Sequence, residues 1–140
     1  MNTPARLLNV LVRVFGGGAL ALGLAFWMGY ARSLTGLHMG FGIGLVVSLW
    51  ALAAMAWRNT AAGGLVALAA LLGLVTWILG FTQTRILPGS SHWLVEVAHL
   101  ALGVTSIAVA RRVVGAAAEG RIAASIRWWC GASSDRGGAL

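Results

Sequence analysis

Three histidines and three acidic residues are all that this chain of 140 residues offers for proton or metal chemistry. Half of them, His92, Glu96 and His99, fall within eight consecutive residues. On a helix, spacings of four and three put them on one face. The surrounding stretch, Pro88 to Arg112, is otherwise apolar enough to read as a membrane-spanning helix. An ionisable group there is costly and marks a candidate functional site. The remaining histidine sits in a second apolar run, Leu37-His38-Met39-Gly40-Phe41-Gly42, and the two runs share a pattern: His38-x-x-x-Gly42 and His99-x-x-x-Gly103. A glycine one turn along the same face removes bulk beside each imidazole. Two imidazoles on facing helices above a side-chain-free floor suit a flat tetrapyrrole, with His38 and His99 as axial ligands and Gly42 and Gly103 making room. Paired axial ligands leave iron no open position, which favours electron transfer over oxygen chemistry.

Other chemistries draw on the same residues. His38, His99, His92 and Glu96 form a candidate transition-metal set, since neutral imidazoles with one carboxylate suit zinc, copper or iron. Di-metal sites in bundles use several carboxylates, however, and these segments hold one. Glu96 alone is a candidate for a proton relay or a small proton-coupled transporter. The structural alternative pairs His92 with Trp93 at the membrane interface and ties Glu96 to His92, His99 or Arg85. That reading makes the protein a non-catalytic structural or assembly subunit of a larger membrane complex. Cys130 is alone, so no disulfide framework and no C-x-x-C redox pair exists. No nucleophile–base set is visible, and Gly16-Gly17-Gly18 follows no strand, so neither a hydrolase nor a phosphate loop is indicated. Nothing marks the chain as an enzyme in isolation.

The elements that position these residues are membrane spans. Hydrophobic residues make up 59% of the chain and charged ones 9%, against roughly 25% charged in an average globular protein. Apolar runs predict an all-α fold with four transmembrane helices at about 14–30, 34–57, 65–81 and 91–112, forming one domain over 1–112. The first run follows Arg6 and Arg13 but is long for a secretory signal, and reads as an uncleaved span. Asn59 to Gly64 reads as a turn, Ser33 or Thr35 as the cap of the second helix, and Ser90 or Ser91 as the cap of the fourth. Residues 113–140 read as a cytoplasmic segment. Ile122, Ile126 and Trp129 would form a short amphipathic helix on the membrane surface, and Gly131 to Leu140 a disordered tail.

Ten arginines and no lysine give a formal charge of +7. They sit at the ends of apolar runs, where they set topology, which excludes nucleic acid as a partner. Four spans put both termini on one side with Arg6, Arg13, Arg58, Arg111, Arg112, Arg121, Arg127 and Arg136, leaving Arg32 and Arg85 opposite. That bias predicts cytoplasmic termini. The Arg, Ala and Gly usage suggests a bacterial cytoplasmic membrane. All three histidines and Glu96 then lie in the outer half. Gly36, Gly40, Gly44 and Ser48 form a row that permits close helix packing within the bundle or in a homo-oligomer, as do Gly16, Gly17, Gly18 and Gly23.

The two hairpins look like repeats. Trp27-Met28-Gly29-Tyr30 ends the first helix and Trp77-Ile78-Leu79-Gly80-Phe81 the third, and a His-x-x-x-Gly helix follows each. With these two helices, the chain resembles the small four-helix membrane b-type cytochromes, which implies a bis-histidine electron carrier working with a quinone or another redox partner. Leu37-His38-Met39 with Pro88-Gly89-Ser90-Ser91-His92-Trp93 also resembles an uncharacterised family of small four-span bacterial membrane proteins, a likeness that brings no function. One count opposes the haem reading. His38 lies twenty residues from Arg58 but His99 only twelve from Arg111, a depth mismatch of roughly 12 Å at about 1.5 Å per residue.

Overall fold

The computed structural model describes residues 3–57 and 63–134, with side chains over 6–57 and 63–116. Among the described residues the chain is all-helical: α1 (Thr3–Trp27), α2 (Thr35–Trp57), α3 (Gly63–Thr82) and α4 (His92–Ser134). Single 3₁₀ turns, Arg32–Leu34 and Gln83–Arg85, occupy the α1–α2 and α3–α4 connections. Four segments of 22 to 26 residues, Arg6–Trp27, Arg32–Trp57, Gly63–Arg85 and His92–Ala116, are long and apolar enough to cross a membrane, the second and third taking in the adjoining 3₁₀ turns; a span needs about 20. At most 39% of any spanning window is buried within the bundle. Most of the apolar surface therefore faces outward, as suits lipid rather than water. The four helices fit a multi-pass membrane bundle.

Local chemistry sets the helix ends. Helix α1 starts at Thr3 rather than near residue 14, because Pro4 is tolerated in a first turn and Leu7 to Val12 continue the apolar run. Its end is a Schellman motif. Gly29 takes φ +85°, its N–H donates to the Phe26 carbonyl at 2.9 Å, and the Tyr30 N–H reaches back to Ala25 at 2.8 Å. Thr35 does not cap α2 through its side chain; its hydroxyl donates to the Arg32 carbonyl at 2.7 Å. Gly63 and Gly64 belong to α3 rather than to the preceding turn, whose residues 58–62 lie outside the described residues.

Helix α4 corrects the expected boundary most. It does not stop at Arg112 but runs unbroken for 43 residues to Ser134. The segment expected to form a separate amphipathic helix is a continuation of the fourth span, and Gly131 to Ser134 are helical rather than a loose tail. Residues 135–140 lie outside the described residues, as do the side chains of Ile122, Ile126 and Trp129. Good helix formers such as Ala116, Ala117 and Ala118 follow Arg112, and no proline interrupts.

Neighbours in the chain pack as neighbours in space. Helix α1 lies against α2, α2 against α3, α3 against α4 and α4 against α1, and α2 also touches α4 across the diagonal. One core cluster, built on Val12, Leu49, Leu52, Ala56, Ala69 and Val113, fills the end that holds the N-terminus. Higher up, α1 and α2 interlock reciprocally. Phe15 of α1 covers Gly44 of α2, and Phe41 of α2 covers Gly18 of α1, so closely that a Cβ on either glycine would come within 2.7 Å of the ring. The two ring centroids are 6.3 Å apart. Only the lower part of the small-residue row on α2 packs this way: Gly44 takes Phe15 and Ser48 is buried, while Gly36 and Gly40 face open space. Hydroxyls are satisfied inside the bundle, as a lipid setting requires. Ser48 donates to Gly44 at 2.7 Å, and Thr76 meets Ser106 at 3.3 Å across α3 and α4.

Candidate functional site

His38 enters three residues after the start of α2, and His99 seven residues after the start of α4. The structure brings their rings together across the diagonal, with centroids 6.2 Å apart and planes inclined at 58°. The expected depth mismatch is therefore absent. Arg111 and Arg112 do not end α4, so counting inward from them misplaced His99. At the opposite end, α4 begins about one turn farther out than α2, which absorbs the unequal offsets of the two histidines.

Each imidazole is seated by a glycine of the neighbouring helix in its own hairpin. A Cβ on Gly23 of α1 would stand 3.4 Å from Cε1 of His38, and a Cβ on Gly80 of α3 would stand 3.4 Å from Cε1 of His99. The hairpins thus present their histidines in the same way, α1 to α2 as α3 to α4. The match differs from the one read in the sequence. Gly29, aligned there with Gly80, sits in the turn, and Gly23 holds the equivalent place. Phe26 adds an edge-on contact to His38, with ring centroids 5.3 Å apart.

One nitrogen on each ring is left over. Nδ1 of His38 and Nδ1 of His99 are both buried and have no hydrogen-bond partner. An unpaired buried polar nitrogen costs about 1–3 kcal/mol, and this pair of rings carries two. The glycines one turn along from the histidines, Gly42 and Gly103, are half-buried, and nothing stands within 4 Å of a Cβ built on either. Open space therefore adjoins the pair on both helices.

The other candidates lie apart. His92 and Glu96 occupy the extra outer turn of α4. The His92 ring nitrogen Nδ1 pairs with the Ile86 carbonyl at 3.2 Å, which ties the helix start to the preceding loop. Glu96 is exposed rather than turned into the bundle. Among the described residues no three His, Cys, Asp or Glu side chains gather as a metal-ion set. Of the sequence candidates, the structure brings His38 and His99 together, leaves His92 and Glu96 apart, and places Gly23, Gly80 and Phe26 beside the two rings. The signal for the two glycines was present only as a pairing between helices, which a single run of residues does not display. No family model matches this chain, and no match to it was found among curated proteins or solved structures.

Proposed function

We propose that the protein is a small bis-histidine haem b electron carrier of a bacterial cytoplasmic membrane, with both termini cytoplasmic and the histidine pair in the outer half. One observation carries the reading: two histidines from separate hairpins meet at 6.2 Å, each with a buried, unpartnered nitrogen. Metal–nitrogen bonds of about 2 Å and a ring radius of about 1 Å on each side would put two axial imidazoles about 6 Å apart, centre to centre. The residues present therefore fit a haem iron, and the open space beside Gly42 and Gly103 is where its flat ring would need clearance.

When bound, the haem supplies one-electron chemistry. The chain supplies the rest. His38 and His99 would be the residues that hold the iron. Phe26 packs edge-on against His38, and the glycines at 23 and 80 leave room for both rings between the helices. Bare-ion binding is less well supported, since two imidazoles supply half of a four-coordinate zinc shell. Proton transport through Glu96 is also less well supported, because functional intramembrane acids face the bundle interior.

The test is a reduced-minus-oxidised visible spectrum of detergent-purified protein from haem-replete cells, with a pyridine haemochrome assay. A Soret band and a sharp reduced α-band, lost in both His38→Ala and His99→Ala, is the expected result. A colourless wild-type protein would remove haem and leave the membrane scaffold as the reading.

A further inference from the structure

The likeness between the two hairpins continues one turn past their glycines in register, and there the chemistry changes. Gly23 and Gly80 hold the same relation to their histidines, a Cβ on either standing 3.4 Å from Cε1 of the ring. Three residues past Gly23, Phe26 meets His38 edge-on at 5.3 Å. Three residues past Gly80 stands Gln83. The matched register therefore gives an amide the place beside His99 that an apolar ring has beside His38.

Other observations point the Gln83 side chain the same way. It opens the 3₁₀ turn that follows α3, and this turn packs against α4, the helix of His99. Within the turn Gln83 is half-buried, whereas Thr84 and Arg85 are exposed. Thr76, Gly80 and Gln83 are spaced four and three apart and so share one face. That face looks at α4, since Thr76 meets Ser106 there and Gly80 meets His99. Helix side chains lean toward their own N-terminus. Because α3 and α4 run in opposite directions, Gln83 leans down toward the level of His99 and the His99 ring leans up toward Gln83. The Ile86 N–H donates to the Gln83 carbonyl at 3.2 Å, which holds the backbone of the turn and leaves the side-chain amide to rotate.

The His99 ring has a use for such a group. Its Nδ1 is buried and has no hydrogen-bond partner. Ligating imidazoles donate their second ring N–H to an oxygen, which fixes the tautomer and raises the basicity of the ligand. A glutamine amide carries that acceptor oxygen. We propose that Gln83 is the positioning residue of His99: its amide turns to accept the Nδ1 proton and holds the ring in the tautomer that frees Nε2. His38, with Phe26 in the matching place, lacks this partner, so the two histidines are unequal ligands. The hydrogen bond stands without the haem reading; the inequality of two iron ligands rests on it.

Nitrogen NMR of the full chain labelled at histidine, in bilayers without haem and above the histidine titration range, tests the bond. The expected wild-type result is one His99 tautomer, protonated at Nδ1. Gln83→Glu should keep it, and Gln83→Leu should give a mixture of tautomers at His99 while the His38 signals stay in place and report an intact fold. His99 signals that are the same in wild type and Gln83→Leu, or a wild-type ring protonated at Nε2, would overturn the proposal. In the haem-loaded protein the midpoint potential should rise in Gln83→Leu and fall in Gln83→Glu at unchanged haem content, because a more basic ligand favours ferric iron. A merely structural role would move both variants the same way, and that result, or equal potentials in all three proteins, would count against Gln83. A colourless protein with the expected tautomers would defeat the haem reading alone and leave the Gln83–His99 bond established.

Discussion

Gly23 faces His38 so closely that a methyl group on the glycine would stand 3.4 Å from the ring. Gly80 stands in the same relation to His99. A methyl at that distance is in ordinary contact, whereas a longer side chain must displace the imidazole. Gly23→Ala and Gly80→Ala should therefore keep the haem and gain about 1 kcal/mol of helix propensity. Gly23→Leu and Gly80→Leu should each lower the haem-to-protein ratio severalfold in the pyridine haemochrome assay. Full occupancy in both leucine variants would show that the glycines do not seat the ligands.

His92 and Glu96 lie in the extra turn of α4, outside the pair. His92→Ala should loosen the loop by losing its bond to the Ile86 carbonyl, at a cost of about 1 kcal/mol, and leave the visible spectrum unchanged. Glu96→Gln should leave both unchanged. Loss of the α-band in either variant would return these residues to the site.

The Phe15–Gly44 and Phe41–Gly18 contacts hold α1 against α2 below the histidines. Gly44→Ala and Gly18→Ala force a ring aside and should destabilise the bundle by about 1–3 kcal/mol, measured as reversible unfolding in mixed micelles. Gly17→Ala is the control, since nothing lies within 4 Å of its Cβ. It should be neutral or slightly stabilising.

Thr76 and Ser106 meet in the buried interface of α3 and α4. A double-mutant cycle of Thr76→Val and Ser106→Ala should return a coupling near the average for such bonds in membranes, about 0.6 kcal/mol. A coupling of zero would mean that the hydroxyls are satisfied separately, by their own helix carbonyls.

The four spans were legible because about 20 apolar residues in a row have few alternatives. Their order was legible because short connections make neighbours antiparallel. The length of α4 was not, because Arg111 and Arg112 read as a stop, yet charge marks a membrane edge without ending a helix. That one error also produced the apparent depth conflict between His38 and His99. The histidine pair could be read from the two His-x-x-x-Gly runs. The glycines that seat the rings could not, because Gly23 and Gly80 act across a helix interface. The second hairpin has four more residues between its glycine and its histidine than the first, so aligning the hairpins by their ends paired Gly80 with the wrong residue.

The central claim is that His38 and His99 share one iron. Low-temperature electron paramagnetic resonance of the oxidised protein addresses it directly, because two imidazole ligands enforce the low-spin ferric state. The account predicts a low-spin signal in the wild-type protein that becomes high-spin, or disappears with the haem, in His38→Ala and equally in His99→Ala. A low-spin signal that persists unchanged in either variant, or no ferric signal in protein purified from haem-replete cells, would contradict it.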